Sequence, residues 1–134
     1  MPTSETLLAS ALAQIWSSFV KTILAIIQPT KLKPVRDALA NIGVERLTIC
    51  DAHGYGRQRG QTEKYRGVEY KANLLRKVAL EIVVNDDFLD RTIETIKRVA
   101  RHGAEGNIGD GKIFVIPTDA AIDLAGGIRG PEAV

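Results

Sequence analysis

The chain has 134 residues, 45% hydrophobic and 25% charged, the proportions of one globular domain with its own core, yet small enough to gain from oligomerisation. A net charge of +2 supplies no strong field for nucleic acid or an acidic membrane surface. One cysteine, Cys50, and two histidines exclude an intramolecular disulfide framework, offer no zinc-ligand spacing and fit a reducing cytoplasm.

Leu7, Leu8, Ala11, Leu12, Ile15, Trp16 and Phe19 recur at helical spacing, so residues 4–19 predict one amphipathic helix. No Lys or Arg precedes Lys21, as a secretory signal would require. The run is also too short to span a bilayer. An accessory helix packed on the domain is the favoured reading over a membrane-surface anchor, and no direct membrane insertion is expected. Residues 1–19 therefore read as an N-terminal extension and residues 20–134 as the domain proper.

Residues 20–28 are apolar and β-branched with little helical periodicity, and read as a buried strand ended by Pro29. Leu32, Val35, Leu39 and Ile42 then share one helical face, with Pro34 tolerable in the first turn and Gly43 a C-terminal cap. Leu47–Cys50 begins a second strand. From Gly54 to Lys77 the chain is rich in Gly, Arg, Lys, Gln, Glu and Tyr. A loop of that length in a compact domain is usually functional or disordered. Residues 78–84 read as a third strand, and Asn85 as the N-cap of a helix presenting Phe88, Leu89, Ile93, Ile96 and Val99. Glycines at 103, 106, 109 and 111 mark another loop before a fourth strand at residues 113–116. The order is β-α-β-β-α-β, an α+β, ferredoxin-like sandwich. The central strands lack the exposed aromatics on which an RNA-recognition module stacks bases, so no nucleic-acid partner is expected.

Function must come from the residues, since this fold hosts many. Ile108-Gly-Asp-Gly-Lys112 can bring backbone N–H groups close to an anion and add a lysine charge, but it lacks Walker A spacing. In Gly54-Tyr-Gly-Arg-Gln-Arg-Gly60, Arg57 can fork onto phosphate or carboxylate, and Gln58 offers a donor and an acceptor. Arg66-Gly-Val-Glu-Tyr70 presents a tyrosine inside the long loop. Phosphoryl-transfer chemistry would need a positioned base besides Lys112, Arg57 and Asp110, and none is evident. A regulatory binding protein rather than an enzyme is the expectation.

Three segments together, Gly54–Gly60, Tyr65-Arg-Gly-Val-Glu-Tyr70 and Ile108-Gly-Asp-Gly-Lys-Ile-Phe-Val115, resemble the PII nitrogen-regulatory signal-transduction proteins. The similarity runs from about Val20 to Phe114 and fades after it. The resemblance implies a cytoplasmic homotrimer with a long T-loop between strands 2 and 3, binding ATP or ADP, with AMP a further candidate. It also implies Mg2+ with ATP, 2-oxoglutarate as effector, and targets such as an ammonium transporter or a nitrogen-metabolism enzyme. Position by position, it implies nucleotide contacts at Gly56, Arg57, Gln58, Gly109, Asp110, Gly111 and Lys112, with Thr48, Glu81 and Val83 lining adenine and ribose. Gln58 and Lys77 match the 2-oxoglutarate site, Gln58 the metal site, and Tyr70 the tyrosine that many bacterial members uridylylate. Two features depart from the pattern. Asp123 and Ala125 stand where typical members carry an arginine pair, and the Arg101–Gly106 stretch is longer than usual. The lost arginine pair favours an alternative, a divergent paralogue sensing ADP or AMP in carbon or bicarbonate metabolism, whereas the intact Gln58, Lys77 and Tyr70 favour the first reading.

Overall fold

A computed structural model describes residues 2–8, 19–55, 62–65, 68–71 and 74–134, with side chains described outside 56–73. Its strands are β1 (Val20–Ile27), β2 (Thr48–Tyr55), β3 (Thr62–Tyr65), β4 (Val68–Lys71), β5 (Leu74–Asn85) and β6 (Gly111–Pro117). The helices are α1 (Leu32–Asn41) and α2 (Asp86–Ala100). β2, β5, β1 and β6, in that order, form a four-stranded antiparallel sheet. This is the expected α+β, ferredoxin-like arrangement.

Alternation along the strands divides the sheet into two faces. Ile23, Ala25 and Ile27 of β1 and Val78, Leu80, Ile82 and Val84 of β5 point to the helices. There they bury against Val35 and Leu39 of α1 and Ile96 and Ala100 of α2. The register assigns Thr22, Leu24 and Ile26, Lys77, Ala79, Glu81 and Val83, Thr48 and Cys50, and Lys112, Phe114 and Ile116 to the opposite face. On that open face Phe114 is 49% and Ile116 47% exposed. Burying such residues is worth about 25 cal/mol per Å² of apolar surface, so the face favours a covering layer.

Several elements differ from the sequence reading. The ladder between β2 and β5 continues to Gly54–Leu75 and Tyr55–Leu74, well into the stretch that composition marks as loop. Backbone pairing needs no apolar side chains, so composition understates these strands. β3 and β4 pair as a separate two-stranded ribbon, Thr62 with Lys71 through Tyr65 with Val68. Asn85 stands at the N-cap of α2 with extended backbone, but its side chain makes no capping bond, and its Oδ1 is buried without a partner. The first turn instead carries Asp86 and Asp87, which complement the helix dipole. Asp86 accepts a hydrogen bond from the buried Lys21 ammonium at 2.7 Å. Thr92 and Thr95, invisible to a search for apolar periodicity, are buried on α2 because each hydroxyl donates to a carbonyl one turn back at 2.6 Å.

At the N-terminus residues 4–8 are helical. The Thr6 N–H donates to Thr3 Oγ1 at 3.1 Å, and Leu7 and Leu8 are exposed. The remainder of the expected helix, residues 9–18, lies outside the described residues. Among the described residues no helix is long and apolar enough to cross a membrane.

Candidate functional site

After α2 the chain folds into a loop fastened by its own side chains. Arg101 donates from Nε to Lys97 O at 2.9 Å and from Nη1 to Ala104 O at 3.0 Å. The Asp110 carboxylate accepts from the backbone N–H groups of Asn107 (2.7 Å) and His102 (2.9 Å), and meets the His102 ring at Nδ1. Burial raises the Asp110 pKa, but those two N–H groups and the His102 ring outweigh it and hold the carboxyl at about 2, below its ordinary 3.8. The stretch from Arg101 to Asn107 thus braces the segment that follows it.

That segment lies hard against the end of β1. Gly111 has φ +130°, and a Cβ placed there would stand 1.8 Å from Ile26 O. Only glycine permits this approach. Two residues earlier, Gly109 O accepts from Gln28 Nε2 at 2.6 Å and from Lys77 Nζ at 2.5 Å. Lys112 follows on the open face of β6, paired in register with Ile26. Beside it a cavity of about 380 Å³ is lined by Ile93, Ile96, Ala100, Gly111, Lys112 and Val115.

A second cleft, of about 660 Å³, gathers Thr48, Glu81 and Val83 with Thr118, Ala121 and Ile122 of the C-terminal tail. Thr48 and Glu81 are direct partners across β2 and β5. Thr118 anchors the tail, its N–H donating to Val20 O at 3.1 Å and its hydroxyl bonding Thr22 Oγ1 at 2.7 Å. The tail then makes a tight turn. Ile122 bridges Arg129, the Asp123 N–H donates to Ile128 O at 2.8 Å, and Asp123 Oδ1 accepts from the Ala125 N–H at 2.8 Å.

The expected site residues therefore fall into two groups. Gly109, Asp110, Gly111 and Lys112 lie with Lys77 at one end of the open face. Thr48, Glu81 and Val83 line the cleft toward the other end. Strand order places Lys112 on edge strand β6 and Thr48 on edge strand β2. Three strand spacings separate those edges, about 14 Å. Gly56, Arg57, Gln58 and the Tyr70 side chain lie outside the described residues. The residues present suit a nucleotide: backbone N–H groups and a lysine for phosphate, and a half-apolar cleft for a base. Asp110 turns its carboxylate to its own loop. Mg2+ keeps most of its ligands from phosphate and water.

Sequence reasoning missed Gln28, His102 and Asn107 as supports of the loop. Gln28 carries no motif and looks like the ragged end of a strand. The length of the Arg101–Gly106 stretch was the one available signal for the other two.

Comparison with known proteins gives a consistent result. The family described as nitrogen regulatory protein P-II matches residues 20–127, so the likeness extends beyond Phe114, where it was expected to fade. Nitrogen regulatory protein GlnK1 of Methanosarcina mazei is 47% identical over 115 residues, 86% of this chain and 97% of that protein. Nitrogen regulatory protein P-II of Azospirillum brasilense is 44% identical over 86% of this chain and its own full length. Among solved structures, PII of Arabidopsis thaliana bound to citrate matches with a TM-score of 0.70 and 34% identity, over 89% of this chain and 93% of that one. The GlnK–ATP complex of B. subtilis matches with a TM-score of 0.69 and 31% identity, over 86% of this chain and 97% of that one.

Proposed function

The chain belongs to the nitrogen regulatory protein P-II family, and on that premise we propose that it is a homotrimeric sensor of adenine nucleotide and 2-oxoglutarate. The observation that carries this reading is the separation of the two groups of site residues across one sheet, Gly111 and Lys112 on edge strand β6 and Thr48, Glu81 and Val83 on edge strand β2 and its neighbour β5. Alone, each group is half a site. Copies arranged around the apolar open face bring the β6 edge of one protomer to the β2 edge of the next, and the halves meet. Gly109–Lys112 then takes the phosphates, while Thr48, Glu81 and Val83 take adenine and ribose. Arg57 and Gln58 close the site from the T-loop, and Gln58 with the phosphates holds Mg2+.

Lys77 supports the effector assignment. The residue is 7% exposed, and its ammonium's hydrogen bond among the described residues goes to a neutral carbonyl. A buried cation without a counter-ion favours a carboxylate that can reach it, such as 2-oxoglutarate. Effector and nucleotide shift the T-loop among conformers that targets bind with different affinity. The targets are an ammonium transporter or an enzyme of nitrogen assimilation, in the cytoplasm, and Tyr70 is the place for covalent modification.

One observation favours a second reading. Asp123 and Ala125, where arginines would reach the outer phosphates, are taken up by the tail's own turn. Arg101 and His102, two of the side chains that could substitute, are fastened within their loop. A site short of cations discriminates less for ATP over ADP or AMP, as a paralogue serving carbon or bicarbonate metabolism would require.

Titration calorimetry with ATP, ADP and AMP, each with and without Mg2+ and 2-oxoglutarate, tests both readings. Tightening of ATP by 2-oxoglutarate supports the first. An ADP or AMP preference with no effector response supports the second, and no nucleotide binding overturns both. Light scattering that gives a monomer mass at micromolar concentration overturns the trimer.

A further inference from the structure

Gly109 is the point of the glycine loop where two side-chain donors converge on one carbonyl, Gln28 Nε2 at 2.6 Å and Lys77 Nζ at 2.5 Å. The ladder explains the convergence. Ile27 pairs with Val78 on one side and Gly111 on the other. The next residue, Gln28, is therefore carried into the gap between Lys77 and the loop. A carbonyl oxygen has two lone pairs, and here both are used. We propose that Gln28 is a positioning residue for the phosphate loop, holding Gly109 in place when Lys77 turns its ammonium to an anionic effector of the oxo-dicarboxylate class. This inference rests on the reading of Lys77 as an effector residue.

The two donors are not equivalent. The lysine bond carries a charge that any arriving carboxylate competes for, and a charge-assisted pair is stronger than a bond to a neutral carbonyl. The glutamine amide is neutral and has no reason to leave. When an effector takes Lys77, Gly109 O keeps Gln28. The loop stays seated against Ile26, and the N–H groups beyond Gly109 keep their aim. Without Gln28 the same event strands a part-buried carbonyl, a loss that binding of the effector must bear. Gln28 therefore decides whether effector and nucleotide occupy the protein together or exclude one another.

The full chain is compared with Gln28→Ala and Gln28→Met, the latter keeping side-chain length without a donor. ATP affinity is measured by calorimetry in Mg2+, with and without 2-oxoglutarate. Hydrogen exchange of the Asp110–Lys112 amides is followed without ligand. In the wild type 2-oxoglutarate should leave ATP affinity unchanged or tighter. In both variants it should weaken ATP, about tenfold for one buried carbonyl left unpaired. Loop exchange should quicken by a similar factor. A purely structural role would weaken ATP equally with and without the effector, and that result overturns the proposal. So does wild-type exchange in both variants. Should the wild type bind no nucleotide, the functional reading fails on its own. The exchange rates still decide whether Gln28 holds the loop: quickened rates sustain that, and unchanged rates overturn it.

Discussion

At the Gln28 end of the open face, three successive residues are held from outside themselves. Gly109 is held by Gln28 and Lys77, Asp110 by His102 and Asn107, and Gly111 by its contact with β1. At the Val20 end the tail is rooted through Thr118, and beyond it residues 121–130 are held by bonds among themselves. Leu124, in that turn, is 99% exposed. Loop and tail contribute to opposite halves of the proposed site, yet one is fixed by the fold and the other lies on it. In the proposed site the loop would hold what every nucleotide shares, a phosphate. The tail would then be where discrimination among nucleotides can be adjusted without disturbing the sheet.

The sharpest way to break this contrast is to add one methyl group to each region. Gly111→Ala must displace the β1 backbone and strain a left-handed φ, which should cost about 3 kcal/mol in urea unfolding and abolish nucleotide binding. Gly126→Ala in the tail meets only the flexible Ile128 side chain at 3.6 Å, and should stay within about 0.5 kcal/mol of wild type. Equal effects would erase the distinction.

A smaller effect is expected at Lys112. Removing a charge-assisted contact, Lys112→Ala should weaken ATP and ADP by about tenfold to a hundredfold while leaving stability near wild type. Calorimetry and thermal melts on the same samples separate the two outcomes.

Asp110 sharpens the loop side through pH. Its folded pKa of about 2 lies below the unfolded 3.8, so the carboxylate stabilises the fold above pH 4, and that contribution disappears as pH falls toward 2. Asp110→Asn should be less stable than wild type at pH 7, with the gap closing in acid. A gap that persists at pH 2 would show that shape, not charge, holds the loop.

The smallest effect belongs to the tail. Asp123→Arg with Ala125→Arg should raise ATP affinity relative to AMP by roughly tenfold or less, since solvent-exposed contacts are worth little each. An unchanged ratio would mean that the tail does not reach the phosphates.

Much of this was legible in the residues. The apolar runs at 20–28 and 78–84 mark strands because burial demands them, the run at 113–116 marks one although it stays largely exposed, and the α1 stripe of Val35 and Leu39 is present in the core. Lys112 and the glycines near it stand out because their chemistry is local. What escaped depends on partners distant in sequence. Gln28 lies 81 residues from Gly109, and nothing beside it announces that meeting. Thr92 and Thr95 were hidden because intrahelical hydroxyl bonds let polar residues occupy buried positions. The extension of β2 and β5 into the glycine-rich stretch was masked because backbone pairing leaves no mark on composition.

The contact between Gly111 and Ile26 O also bears on descent. Every replacement for glycine brings a Cβ, so no stepwise path through position 111 keeps both the loop and the strand end where they are. Gly126 has room for a side chain. Lineages diverging from this sequence are thus free to experiment in the tail and barred from doing so at the loop, and new ligand preferences should arise there first.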